Sequence, residues 1–597
     1  MRNLFLRLIG LIEAFIEWLH GRLDKKQFLI FSSILVGLTA GLAAVVLKVL
    51  VHWIQRAATH NYDFQFEGAL PIVLPIVGIV LTVFFVQKHL KGKLGRGNAN
   101  VLTAIARKGS RLPADQMYSH VVTSALTVGF GGSAGLESPM VTTGAAIGSN
   151  YARTYKLTYK DRTLLLACGA AAGVAAAFNA PIAGLLFALE VLLADVTISV
   201  FIPVMIASAT GALLSLILLD ENTRLEFRLQ QAFDYHNVPW YVVMGILAGL
   251  ISVYYSRVFP KVTGFFKKRK KMPWMNAVIG GGVLSLLIWC FPSLYGEGYQ
   301  SITHLAEGHP ELLLKNSLFE SFSDNAVYVV IFIGLIMLIK VFATAVTIGS
   351  GGNGGNFAPS LFVGAYLGFA FSRGLNLTGL TDLPVANFTI VAMAGILAGI
   401  FHSPLTGIFL IAEITGGYEL MIPLMIVAAL SYTIVKYFEP FSMDVKALAQ
   451  KGKIFTHDKD KNILTVIKVS RMVESDFQRV APQLTLGELV ELVAKSQRNI
   501  FPVVGSNNEL EGVIKLDDIR DVMFRKELYD NVTCEEMMKQ PVAIIQPDES
   551  MYDVMKKFDE TGAWNLPVIE DGKYVGFVSK SNIFTHYRDK LIRNSME

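Results

Sequence analysis

The chain has 597 residues, 52% hydrophobic and only 17% charged, with a mean hydropathy of +0.46. So little charge over so long a chain excludes a soluble globular protein and indicates a polytopic membrane protein. The net charge of +5 reflects Lys and Arg beside apolar spans, which report orientation, so no nucleic-acid partner is implied. The three cysteines, Cys168, Cys290 and Cys534, lie far apart and show neither metal-ligand spacing nor a disulfide framework.

Residues 1–27 mix Leu, Ile and Phe with Arg2, Arg7, Glu13, Glu17, Arg22, Lys25 and Lys26, and no small-residue cleavage site is evident. The pattern predicts an amphipathic helix on the cytosolic membrane face. The first strong span runs from Phe28 to about Val51, and the basic residues before it put the N-terminus in the cytosol. The cluster Lys267-Lys268-Arg269-Lys270-Lys271 reads as cytosolic for the same reason. Apolar segments broken by Gly and Pro define a membrane part over 28–440, with halves of about 28–260 and 272–440. A linker over 441–465 leads to a charged tail over 466–597.

The membrane part repeats itself. Phe178, Pro181, Gly184 and Glu190 fall on Phe401, Pro404, Gly407 and Glu413, and Ile202-Pro203 falls on Ile422-Pro423. Upstream, Gly135-Leu136-Glu137-Ser138-Pro139 corresponds to Gly355-Asn356-Phe357-Ala358-Pro359, and each is followed by a small-residue helix. Two such halves predict a duplicated transporter fold with its binding site between the repeats.

A small anion in a bilayer needs hydrogen-bond donors rather than a full opposite charge, which would trap it. Helix N-termini supply free N–H groups and a partial positive potential, and they occur inside membranes where broken helices line a cavity. Three Gly-rich segments qualify: Gly95-Arg96-Gly97-Asn98, residues 131–139 and residues 349–359. Glycine lets the backbone approach closely, and proline suits a first helical turn.

These motifs resemble the CLC family of chloride channels and chloride/proton exchangers. Gly135-Leu136-Glu137-Ser138-Pro139 matches the family's glycine–x–glutamate–x–proline signature, and Gly355-Asn356-Phe357-Ala358-Pro359 matches its glycine–x–phenylalanine–x–proline signature. The resemblance implies a homodimer with one pore per subunit, built of tilted, broken helices in two inverted halves. It makes Glu137 the gating glutamate. It makes Gly95, Arg96, Gly97, Gly135, Leu136, Ser138, Gly355, Asn356, Phe357 and Ala358 the anion-binding positions, with the backbone N–H groups of Phe357 and Ala358 meeting the central ion. An intramembrane carboxylate is functional by default, against the plainer reading of a helix cap.

The chain departs from the family's pattern in three places. Arg96 stands where a small hydroxyl residue usually lies between two glycines, and arginine is large and always charged. Asp444, within Phe441–Leu448, aligns with the family's inner tyrosine and is the inner-gate candidate, with Tyr437 a distant substitute. Val191 follows Glu190 where exchangers commonly carry a second, proton-relaying glutamate; valine cannot relay a proton, which points to passive conduction. Glu190 and Glu413 read as structural partners of backbone groups. His402 reads as a packing residue.

The tail contains two similar units, about 466–530 and 531–597. Asn499–Val504 with Glu511–Ile514 parallels Asn565–Ile569 with Val575–Val578, and each strand pair follows a helical pattern. This resembles a tandem pair of CBS domains, an α/β module that often binds adenine nucleotide. Lys515 and Asp518 in one unit, and Ser579 and Asn582 in the other, fill the phosphate and ribose positions incompletely. Nucleotide binding and a purely structural role therefore both stand. No cofactor is required, and no nucleophile–base or metal constellation marks an enzyme. The expectation is a chloride channel of the inner membrane with a cytosolic tail. The alternatives are a chloride/proton antiporter and a carrier of another small anion.

Overall fold

The computed structural model describes residues 21–59, 70–95, 97–193, 197–219, 231–315, 317–449 and 467–596. The amphipathic segment expected over 1–27 therefore lies, up to residue 20, outside the described residues, as do Arg96 and positions 450–466 of the expected linker. The chain divides into two compact units between Leu448 and Ala449.

The first unit is helical, because in hydrocarbon each spanning segment must satisfy its own backbone. Seven of its helices, among the described residues, are long and apolar enough to cross a membrane. The first half holds α1 (Lys25–Thr59), α2 (Leu70–His89), α3 (Asn98–Arg107), α4 (Gln116–Gly129), α5 (Glu137–Thr154), α6 (Tyr159–Phe178), α7 (Pro181–Phe187) and α8 (Ile198–Leu218). The second half holds α9 (Val238–Lys268), α10 (Pro273–Cys290), α11 (Tyr299–Glu307), α12 (Ala326–Ser350), α13 (Phe357–Leu377), α14 (Val385–Phe401), α15 (Pro404–Ile414) and α16 (Met421–Phe438). A short helix, α17 (Met443–Ala449), follows and carries Asp444.

The two halves pack alike. Helix α5 lies against α6 as α13 lies against α14, and α6 meets α8 as α14 meets α16. Helices α6 and α14 are buried through most of their length and form the centre of each half. Both end at a phenylalanine followed by a left-handed residue, Asn179 (φ 55°) and His402 (φ 56°), and a proline then opens the next helix. Left-handed backbone ends a helix, and proline suits the first turn of the next, so each half breaks at the same place.

Close crossings depend on glycine. Gly144 and Gly148 on α5 sit one helical turn apart, and Gly364 and Gly368 repeat the spacing on α13. A Cβ on Gly144 would stand 2.0 Å from the Gly169 carbonyl oxygen, and one on Gly148 would stand 1.9 Å from that of Leu165. On α13, a Cβ at Gly368 would stand 2.1 Å from the Phe388 carbonyl oxygen. Small residues at this spacing let helix backbones touch, which is where packing energy in a bilayer comes from.

The second unit is the α/β tail. Its first half holds α18 (Leu486–Lys495), β1 (Ile500–Val504), β2 (Leu510–Lys515), α19 (Leu516–Ile519) and α20 (Cys534–Met537). Its second half holds α21 (Met551–Thr561), β3 (Asn565–Glu570), β4 (Lys573–Ser579) and α22 (Lys580–Met596). β1–β2 and β3–β4 are antiparallel pairs, and a parallel bridge flanks each, Val480 to Val503 and Ile545 to Val568. The halves exchange their leading segments. Ile467, Val469 and Met472 pack into the core around Phe558 and Leu566, while Cys534 packs into the core around Leu489 and Phe501. Glu474 pairs with Phe577 across the exchange.

The glycine contacts set a test. Gly144→Ala puts a methyl into the backbone of α6 and is expected to cost about 1–3 kcal/mol, as overpacking does. Gly282→Ala on α10, where a Cβ meets nothing within 4 Å, is expected to leave stability unchanged or raise it. Thermal unfolding of the two variants in detergent checks the difference; equal melting temperatures contradict the packing account.

Candidate functional site

Two Gly-rich turns meet at the middle of the first unit. The Gly135 N–H donates to the Gly355 carbonyl at 3.0 Å, and the Gly355 N–H donates to the Gly135 carbonyl at 2.7 Å. This antiparallel bridge joins the turns that open α5 and α13, and it brings those two helix N-termini together. Side chains are excluded at both positions. A Cβ at Gly135 would stand 2.2 Å from Glu137 Oε2, and one at Gly355 would stand 2.6 Å from Ser138 Oγ.

Buried polar groups fix the second turn. The Asn353 N–H donates to Thr127 Oγ1 at 2.9 Å, and its side-chain amide donates to Thr123 at 2.7 Å and Ser124 at 2.9 Å. In a dry interior these bonds hold a loop that has no regular secondary structure to hold it.

Glu137 is 3% exposed. Its carboxylate bridges the two helix starts, meeting its own N–H as well as α13. Oε2 accepts from the Ala358 N–H of α13 at 3.4 Å, and Oε1 accepts a short hydrogen bond from the Tyr299 hydroxyl. The Leu136 N–H, at the start of α5, donates to a different carboxylate, Glu297 Oε1, at 3.2 Å. Both N-termini are thus met by carboxylate oxygens, the positions an anion favours.

Ser138 is buried beside Gly355. Phe357, 2% exposed, packs its ring against Phe178 (centroids 5.4 Å apart), Phe401 (5.3 Å) and Phe187 (6.2 Å), two of which are the matched helix ends of the repeat. Asn356 accepts from the hydroxyl of Tyr255, which is fully buried on α9, at 3.4 Å.

Gly97, at φ 67°, stands immediately before α3. The next residue, buried Asn98, donates from its side-chain amide to Asp444 Oδ2 at 2.9 Å. Gly95 packs against the Asn100 side chain. The first Gly motif and Asp444, 346 positions apart, therefore meet. Two separate polar pairs result, Asn98 with Asp444 and Tyr255 with Asn356. Tyr437 is 83% exposed and takes no part in either.

Val191 lies half-buried in a π-helical turn, Ala188–Leu192, that extends α7. Its neighbour Glu190 accepts from the Leu405 N–H at 3.0 Å and the Thr406 N–H at 2.8 Å, at the start of α15. In exchange, Glu413 of α15 accepts from the Ile182 N–H at 2.9 Å and the Ala183 N–H at 2.8 Å, at the start of α7. Each carboxylate caps the other half's broken helix, a reciprocal contact with two-fold logic.

Sequence reasoning missed Glu297, Tyr299 and Tyr255. Glu297 and Tyr299 belong to Gly296-Glu297-Gly298-Tyr299, a short connection outside the matched repeats. A carboxylate between two glycines in an apolar stretch was the available signal. Tyr255 sits in the apolar run of α9, where an aromatic residue reads as core.

In the tail, Lys515 and Asp518 line one cavity of about 150 Å³ with Lys539, whose ammonium pairs with Asp518 at 2.7 Å. Ser579 and Asn582 line a different cleft. There Ser579 Oγ donates to Glu474 Oε1 at 2.5 Å and accepts from the Asn582 N–H at 3.2 Å. Arg498 binds both Glu474 at 2.8 Å and Asp476 at 2.7 Å, and its guanidinium holds the Asp476 carboxyl below the usual carboxylate range. The four candidate nucleotide residues thus fall in two sites rather than one.

Comparison with known proteins agrees with this geometry. A family model described as "Voltage gated chloride channel" matches residues 78–436, and one for the CBS domain matches 469–525 and 534–589. A putative chloride channel protein ClcB-like from Ralstonia nicotianae is 27% identical over 428 residues, covering 70% of this chain and 95% of the relative. An H(+)/Cl(-) exchange transporter ClcA from Vibrio campbellii is 26% identical, covering 68% and 86%. Among solved structures, a eukaryotic CLC transporter aligns with TM-score 0.59 at 19% identity, covering 93% of this chain and 97% of its own. A slow cyanobacterial Cl-/H+ antiporter aligns with TM-score 0.59 at 20% identity, covering 72% and 98%. The chain belongs to the voltage-gated chloride channel, or CLC, family, and carries a tandem CBS module after its membrane part.

Proposed function

We propose that the protein conducts small anions, chloride first, through its membrane unit, with Glu137 as the gating carboxylate. The observation that carries this is the Glu137 carboxylate on the Ala358 N–H of the opposing helix, where it stands in for an anion. Ionised, it fills the position. Protonated, or displaced by chloride, it leaves the N-termini of α5 and α13 open to a permeant ion. The backbone of Gly135, Leu136, Ser138, Gly355, Asn356, Phe357 and Ala358 then supplies donors without a trapping charge.

The Asn98–Asp444 and Tyr255–Asn356 pairs mark the other end of the path. Tyr255 offers a hydroxyl where the family's inner tyrosine is missing, and Asp444 is held by Asn98. Val191 gives no proton relay, and Glu190 beside it is engaged in capping α15, which favours passive conduction. Coupled exchange of chloride for protons is the second reading. The Tyr299–Glu137 hydrogen bond favours it, and so do relatives named as exchangers.

The protein acts as a homodimer in the inner membrane, with its N-terminus and tail cytosolic and no cofactor required. The tail serves as a structural module. Adenine nucleotide at Lys515, Asp518, Ser579 and Asn582 is the lesser reading, because these residues fall in two separate clefts and neither cleft gathers the full phosphate and ribose set.

Chloride-loaded vesicles test the reading. Wild type is expected to release chloride without moving protons, and Glu137→Ala is expected to release it faster than wild type at neutral pH, with the pH step that belongs to Glu137 lost. Proton movement against its gradient, abolished in Glu137→Ala, replaces conduction with exchange. A wild type that passes no chloride refutes both.

Tyr255→Phe tests the other end. Removing its hydrogen bond to Asn356, about 1 kcal/mol, loosens the residue before α13 and is expected to weaken chloride binding by up to about fivefold, read by isothermal titration. An unchanged affinity removes Tyr255 from the path.

A further inference from the structure

Glu297 is the second carboxylate at the meeting point of α5 and α13, and neither the repeat nor the family motifs call for it. It lies in the tight turn Gly296-Glu297-Gly298, in which both glycines are left-handed, at φ 62° and 89°. That turn is built into the core. A Cβ on Gly298 would stand 2.6 Å from the Phe362 ring. Lys340, 0% exposed, donates from Nζ to the Gly296 carbonyl at 3.3 Å and lies 4.5 Å from the centre of the same ring. The turn then presents two groups to one junction. Glu297 accepts from the Leu136 N–H, and Tyr299, two residues on, donates to Glu137.

Burial orders the two carboxylates. Glu137 is enclosed, whereas Glu297 and Tyr299 are half-buried. The charged or titratable groups acting on Glu297 are Glu137, Lys48 of α1 and Lys340 of α12. Tyr299 feels both carboxylates. The site therefore sets two acids against two bases, and its net charge changes when either acid takes a proton.

Resting on the proposed anion conduction, we infer that Glu297 is an outer gating carboxylate that holds the α5 N-terminus closed to anions arriving from solvent. Ionised, it occupies the Leu136 N–H that an incoming anion must use before it reaches the position of Glu137. Protonation turns it from a charged acceptor into a weaker neutral one and frees that N–H. Tyr299 is the positioning residue beside it, keeping Glu137 turned toward Ala358 until the outer group has moved. Two acids in series give the path two titrations, one in contact with solvent and one behind it.

The test is chloride flux into vesicles with external and internal pH varied separately. Wild type is expected to conduct faster as pH falls, in two steps. Glu297→Gln keeps an acceptor for the Leu136 N–H but loses its charge. It is expected to raise flux at neutral pH about fivefold, since a charge-assisted hydrogen bond is about twice as strong as a neutral one. It is also expected to lose the pH step on one side of the membrane only. Glu297→Asp, which still titrates, is expected to keep both steps, a readout that a merely structural role does not move. Should Glu297→Gln fail to fold, Glu297→Asp with a single pH step overturns the inference by itself. A Glu297→Gln profile that superimposes on wild type, while Glu137→Gln loses its pH dependence, overturns the role of Glu297 and leaves the conduction reading standing. A wild type without anion flux overturns both.

Discussion

The backbone exchange between Gly135 and Gly355 is the contact on which the membrane unit's chemistry depends. It is two hydrogen bonds between turns, in a region where unpaired backbone groups are costly. By pairing the turns it leaves the Leu136 N–H, one residue after Gly135, and the Ala358 N–H, three after Gly355, to meet carboxylates. Those N–H groups begin α5 and α13, so their partial positive charges converge. Everything near them is arranged by that convergence. Glu137 crosses to the opposing helix, Glu297 meets Leu136, and buried Lys340 donates to the Gly296 carbonyl of the turn that carries Glu297. The reciprocal caps of Glu190 and Glu413 do for the second pair of broken helices what the glycine exchange does for the first.

On the proposed reading, a site of this kind holds an anion weakly. Partial charges from helix ends attract a halide without holding it, and a carboxylate on the same donors competes with it on equal terms. Protonation decides the competition, because a neutral acid is a poor rival for an N–H. On the proposed reading selectivity and gating share their donors, and neither needs a large motion: carboxylate side chains move off helix ends that the fold keeps rigid.

The duplicated architecture was legible because its sequence is written twice. Phe178 and Phe401 close matched helices, Pro181 and Pro404 open the next, and Glu190 and Glu413 sit at one offset from both. Glycine and proline carry that message well, since each is used where the backbone leaves no other choice. The groups around Glu137 were less legible. Glu297 and Tyr299 lie in a connection without a counterpart in the other half, and only the folded turn brings them to the α5 N-terminus. Tyr255 looks like any aromatic residue on an apolar helix, and only packing sets its hydroxyl against Asn356. Asp444 reads as a disturbing charge in the sequence; its partner Asn98 lies 346 positions away. Such pairings are properties of the tertiary structure, and no local period predicts them.

Anomalous diffraction from bromide-soaked crystals of wild type and Glu137→Gln tests the central claim most directly, that Glu137 holds an anion position between two helix N-termini. The account predicts a bromide peak within hydrogen-bond reach of the Ala358 N–H in Glu137→Gln, at the place the wild-type carboxylate fills, and no peak there in wild type. A wild-type carboxylate and a bromide ion both present beside Ala358, or bromide bound in both crystals only away from the Gly135–Gly355 junction, contradicts it.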